Sequence, residues 1–126
     1  SPEDVTGLSC LIRVTGSLKS YENPVFLDLK GLENLTIVQG GVFFERNPLL
    51  TDFSGLEALS TIGTTLSIQD NPQLNSLHGL NGLSLVGESL EISNNPSLCT
   101  QEITSFLNQL SPLPSLIATE NNKDGC

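Results

Sequence analysis

Apolar residues return along this chain in a fixed frame. Leu32, Leu35, Val38, Val42, Phe44, Leu50 and Phe53 are repeated by Leu56, Leu59, Ile62, Leu66, Ile68, Leu74 and Leu77, and again by Leu80, Leu83, Val86, Leu90, Ile92 and Leu98. An earlier copy is weaker: Leu8, Leu11, Val14 and Leu18 fit, Ser20 stands where the other copies are apolar, and Phe26 and Leu29 complete it. The pairs Val42/Phe44, Leu66/Ile68 and Leu90/Ile92 are spaced two residues apart, which is the period of a strand with one buried face. Each copy is therefore expected to contribute one short strand to a parallel sheet, with equivalent side chains stacked about 4.8 Å apart.

The interval between copies is 24 residues, marked by Asn23-Pro24, Asn47-Pro48, Asn71-Pro72 and Asn95-Pro96 and by Gly7, Gly31, Gly55 and Gly79. A constant period of this size signals a solenoid, in which no unit can bury its apolar face alone and stacked neighbours bury a continuous core. The expected fold is an α/β repeat solenoid, mostly β, in the form of a short right-handed parallel β-helix or leucine-rich-repeat-like domain. Asn before Pro is read as a corner residue whose amide satisfies turn backbone. Asp4, Asp28, Asp52 and Ser76 keep the same beat and are read as turn-capping residues rather than as a calcium ladder.

The period changes after Cys99. Thr100 is placed as a helix N-cap with Glu102 in the first turn, and Ile103, Phe106, Leu107 and Leu110 form one apolar stripe before Pro112. Such a helix suits the open end of a solenoid. Leu116, Ala118 and Asn121 resemble a degenerate last rung at a shifted spacing. The whole chain, 1–126, is divided into a partial N-terminal segment (1–7), four rungs (8–98), and a helix with a Cys-closed cap (99–126). A Cys99–Cys126 bridge would tie the C-terminal segment over the last rung and implies an oxidising compartment. Cys10 is left to pair upstream of Ser1 or to stay a buried thiol.

Composition narrows the function. Lys and Arg number 5 against 14 Asp and Glu, a net charge of −9, which disfavours nucleic acid and anionic membrane as partners. No apolar run approaches the roughly 20 residues that span a bilayer. There is no G-x-S-x-G, H-E-x-x-H or phosphate loop, so an enzyme is not expected. No cofactor and no metal are called for, and His78, in a turn, cannot build a zinc site alone.

The frame G-L-x-x-L-x-x-[VI]-x-x-x-[LV]-x-I-x-x-N-P-x-L, with "NNPSLCTQEITSFLNQL" and the final "NKDGC", resembles the receptor L-domain family. That family includes the ligand-binding lobes of insulin and epidermal growth factor receptor ectodomains, fungal cell-wall glycoproteins and bacterial surface proteins; the "NKDGC" ending is closer to the bacterial members. The resemblance implies an extracellular or cell-surface location. It also implies that a cysteine at the place of Cys10 pairs with one in a preceding N-terminal strand.

Candidate contact residues lie on the outward positions of the repeated strand: Lys19 and Tyr21, Phe43 and Glu45, Ser67 and Gln69, Glu91 and Ser93. Phe43, with Tyr21 diagonal to it and Lys19 beside it, is an aromatic on a face that should be wet, as binding hot spots are. Two roles follow: a non-catalytic recognition or adhesion module for a protein or glycan, or a structural spacer or envelope component holding other domains apart. An exposed apolar patch on the strand face favours the first and a uniformly polar face the second. Asn34-Leu35-Thr36 is the single glycosylation sequon, meaningful for a secreted eukaryotic chain.

Overall fold

The computed structural model describes residues 13–22 and 32–124. Cys10, Cys126, Asn23-Pro24, Asp4 and Asp28 lie outside these residues, as does most of the first rung.

Each rung carries two strands rather than the single one expected. The long strands are β2 (Leu18–Tyr21), β4 (Val42–Glu45), β6 (Thr65–Gln69) and β8 (Ser89–Ser93); the short ones are β1 (Arg13–Val14), β3 (Ile37–Val38), β5 (Thr61–Ile62) and β7 (Leu85–Val86). They form two parallel sheets, ordered β1-β3-β5-β7 and β2-β4-β6-β8-β9, where β9 is Leu116–Ala118. A two-residue strand offers one inward side chain per rung, too little alternation to be seen in the sequence. Between the sheets, the Leu-x-x-Leu steps are turns: Leu35, Leu59 and Leu83 donate their N–H groups to Leu32, Leu56 and Leu80 at 3.0–3.1 Å. That i to i+3 closure is the physical source of the three-residue leucine spacing.

Pairing is in register at the sequence period. Val42 pairs with Leu66 and Leu66 with Leu90, while Phe44, Ile68 and Ile92 stack alongside. These side chains and the turn leucines form one core, at most 5% exposed; Phe44 and Phe53 meet edge to face, ring centroids 5.0 Å apart. Each such side chain contributes roughly 1.5 to 3 kcal/mol relative to water.

The Asn corners do more than turn the chain. Asn71 donates its Nδ2 to Phe44 O in the preceding rung at 3.0 Å, and its Oδ1 accepts the Asn47 N–H at 3.0 Å. Asn95 repeats the pattern with Ile68 O and the Asn71 N–H. The ladder continues to Asn122, whose Oδ1 accepts the Asn95 N–H and whose Nδ2 donates to Ile92 O. The residue before each of these asparagines, Arg46, Asp70, Asn94 and Asn121, takes positive φ between 56° and 59°, as does Glu22 at 53°. Every long strand thus leaves its sheet through a left-handed residue; Asp70, Asn94 and Asn121 are types that favour it, Glu22 and Arg46 are not. Gly55 and Gly79 have φ of 113° and 106°, closed to other residues, and a Cβ on Gly79 would run into Phe53 O.

The helix α1 (Thr100–Asn108) covers the open end, burying Ile103 and Phe106. Its N-cap is Cys99 rather than Thr100, with no side-chain capping bond; Glu102 Oε1 instead reaches across to the Leu77 N–H and the Ser76 hydroxyl at 3.2 and 3.3 Å. The last rung is real, but its frame is 27 residues after the previous one. Leu90 pairs with Ile117, and Asn122 rather than Asn121 enters the ladder. Leu116 therefore lies outside the core frame and is 70% exposed. At the turns, Asp52 Oδ1 accepts the Ser54 N–H and Ser76 Oγ the His78 N–H, as expected of capping residues. His78 is exposed.

Candidate functional site

Parallel register carries the outward positions into two rows across the longer sheet. One row is Lys19, Phe43, Ser67, Glu91 and Ala118; the other is Tyr21, Glu45, Gln69 and Ser93. The eight candidate residues are therefore brought onto one face.

The face is not uniform. At its N-terminal end, Lys19 Nζ lies 5.7 Å from the centroid of the Phe43 ring and Tyr21 tilts against the same ring at 6.4 Å between centroids. Phe43 is half-buried and Tyr21 is 43% exposed. The ring lies over Gly41, where a Cβ would come within 2.5 Å of it. The missing side chain of Gly41 is thus what lets an outward aromatic lie down on the sheet.

Ser67 and Ser93 depart from the expected solvated strand positions. They are only 3% and 4% exposed. Ser67 Oγ donates to Glu45 Oε2 at 2.8 Å and accepts from Gln69 Nε2 at 2.8 Å, so longer neighbours close over the small side chain. Ser93 Oγ accepts the Glu120 N–H at 3.4 Å as the C-terminal segment passes over it. Ser20, inward but polar, is satisfied by donating to Asn47 Oδ1 at 3.1 Å.

Between the aromatic corner and β9 the face is hollowed. An open hollow of about 520 Å³ has Phe43 at one wall and Leu116 and Ile117 at the other. Thr65, Ser67, Gln69 and Ser89 line it between these walls, Thr65 and Ser89 sharing a hydroxyl contact of 2.9 Å, and Glu45 and Glu91 border it. Thr65, Ser89, Leu116 and Ile117 belong to the site but were missed from the sequence. Thr65 and Ser89 stand two residues before Ser67 and Glu91, one step further along the same strand alternation, whereas Leu116 and Ile117 depend on the register offset of the last rung, a three-residue insertion in a frame with no Asn-Pro.

A second recess, about 240 Å³, lies between the turn side and α1 near His78 and Glu102. Its carboxylate is engaged in holding the helix to Ser76 and Leu77. Among the described residues no group of 3 or more His, Cys, Asp and Glu could hold a metal ion, and no helix is long and apolar enough to cross a membrane. Cys99 is not a free thiol. Asn34 is exposed in its turn.

Stacked parallel strands, an asparagine ladder at one corner and a helix over one end define a leucine-rich-repeat-like solenoid. The chain belongs to the receptor L domain family, whose profile matches residues 2–111. No curated protein matches the chain in the corresponding search. Membership makes it a ligand-binding or recognition module of the kind found in receptor ectodomains.

Proposed function

We propose that this domain is a non-catalytic extracellular recognition module that binds a protein or glycan through the hollowed face of its five-stranded sheet. The observation that carries the reading is the juxtaposition of a pinned aromatic corner, Lys19, Tyr21 and Phe43, with the hydroxyl-lined hollow and its far wall at Leu116. A large ring held rigid beside charge loses little entropy on binding, and water-excluding aromatics at the centre of a contact carry most of its energy. Apolar walls on a strand face also favour recognition over a passive spacer.

In this reading residues 1–126 act as one domain, able to stand as a lobe among others of a larger ectodomain. Cys99 and Cys126 form its closing disulfide, which suits an oxidising compartment. Asn34 is available to carry a glycan where the chain is secreted by a eukaryotic cell.

The test is a screen of the purified domain against a glycan array and a displayed library of extracellular proteins, repeated with Phe43→Ala and Lys19→Ala. Ligands bound by the parent chain and lost at least about tenfold by both variants support the face as the site. Ligands bound equally by parent and variants place recognition elsewhere.

A further inference from the structure

We infer that the open edge of β9 is a strand-addition site for an extended basic segment of a partner protein. The sheet order ends on β9, which hydrogen-bonds to β8 on one side. In the pairing of Ser89, Leu90 and Glu91 with Leu116, Ile117 and Ala118, alternate backbone groups face β8 and the others face outward. The outward set includes the N–H and C=O of Ile117, because the Leu116 N–H already turns to Glu88 O.

The ladder is unfinished at the same edge. Asn47, Asn71 and Asn95 each have their N–H accepted by the Oδ1 of the next asparagine. Asn122 has no such acceptor among the described residues; its side chain serves Asn95 and Ile92 O instead. Two of the four exposed large apolar residues in the described chain, Leu116 and Ile117, at 70% and 41% exposure, belong to β9 itself, and a third, Leu113, precedes it in the chain. An incoming strand would stack on Ile117, cover Leu116 and offer backbone partners to the free edge, as extended peptides do when they augment a sheet.

Charge selects the occupant. Along β8, β9 and the segment after it stand Glu88, Glu91, Glu120 and Asp124 against Lys123. A second copy, itself at net −9, would bring like charge to this edge. A segment in which apolar residues alternate with Lys or Arg supplies both the stacking and the opposite sign. The edge shares Leu116 and Ile117 with the far wall of the hollow described above, and Phe43→Ala, at the opposite wall, separates strand addition at β9 from recognition through the aromatic corner.

The experiment titrates the domain with a synthetic peptide of alternating valine and lysine and follows amide hydrogen exchange and affinity. Expected are slowed exchange at Ile117 and Asn122, binding that weakens with salt, at least a tenfold loss in Leu116→Lys, and no loss in Phe43→Ala. A peptide with glutamate in place of lysine should not bind. The inference is overturned if the Ile117 and Asn122 amides stay unprotected at saturation, or if Leu116→Lys binds as the parent does. Self-association through this edge, seen as a dimer by ultracentrifugation and lost in Leu116→Lys, would equally overturn it.

Discussion

Asn71 is joined to Asn95 twice: its backbone N–H and its side-chain Nδ2 both donate to Asn95 Oδ1 at 3.1 Å. The same side chain also holds Phe44 O of the rung before. One buried amide thus ties three rungs together, and repetition at Asn47, Asn95 and Asn122 makes the corner a continuous polar spine beside the leucine core.

Removing Asn71 should be costly out of proportion to its size. Asn71→Ala orphans the Phe44 carbonyl and the Asn47 N–H in a site with no exposure. Each buried group left unpaired costs about 1 to 3 kcal/mol, so a loss of at least about 2 kcal/mol is expected in denaturant unfolding. Asn71→Asp should do no better, because the carboxylate accepts from Asn47 and donates nothing to Phe44 O. A change under about 0.5 kcal/mol in either variant would remove the spine from the account.

The left-handed exits set a second expectation. Asp70 sits at φ 58°, where a β-branched side chain is strained by about 1 to 2 kcal/mol and Asn is tolerated. Asp70→Val should destabilise by about that amount and Asp70→Asn should be neutral, both read from thermal or denaturant midpoints.

Gly41 is expected to control the aromatic corner without touching the core. Gly41→Ala places a methyl where the Phe43 ring now lies and should lift it off the sheet. The Lys19 and Tyr21 contacts at 5.7 and 6.4 Å would then open, visible as loss of ring-current shifts on the Lys19 methylene protons. Unchanged shifts would show that the ring is held by something other than the space over Gly41.

The exposed pair Arg46–Glu22, at 3.1 Å, is expected to contribute little. Both side chains are more than half exposed, at 55% and 65%. Arg46→Ala should change stability by less than about 1 kcal/mol, an effect that fades as salt is added.

The architecture was legible because its cause is periodic. Leucines recur where turns close on themselves, alternating pairs recur where strands bury one face, and Asn-Pro recurs at the ladder. What escaped was aperiodic or too short to have a period. The strands containing Val38, Ile62 and Val86 are two residues long, and the left-handed residues Arg46, Asp70 and Asn94 share a position but no residue type. At the site, the candidates from Lys19 to Ser93 do share a face, since strand alternation fixes that. The burial of Ser67 under Glu45 and Gln69 depends on side-chain reach, and the far wall at Leu116 depends on a register shifted to 27 residues.

The central claim, that a recognition face lies on the longer sheet, meets its most direct test in Phe43→Ala. The variant is measured for both affinity toward the strongest ligand from the glycan and protein screens and free energy of unfolding. The account predicts at least about a tenfold rise in Kd, some 1.4 kcal/mol, with stability changed by less than about 1 kcal/mol. An unchanged Kd, or a stability loss that accounts for the whole fall in binding, would contradict it.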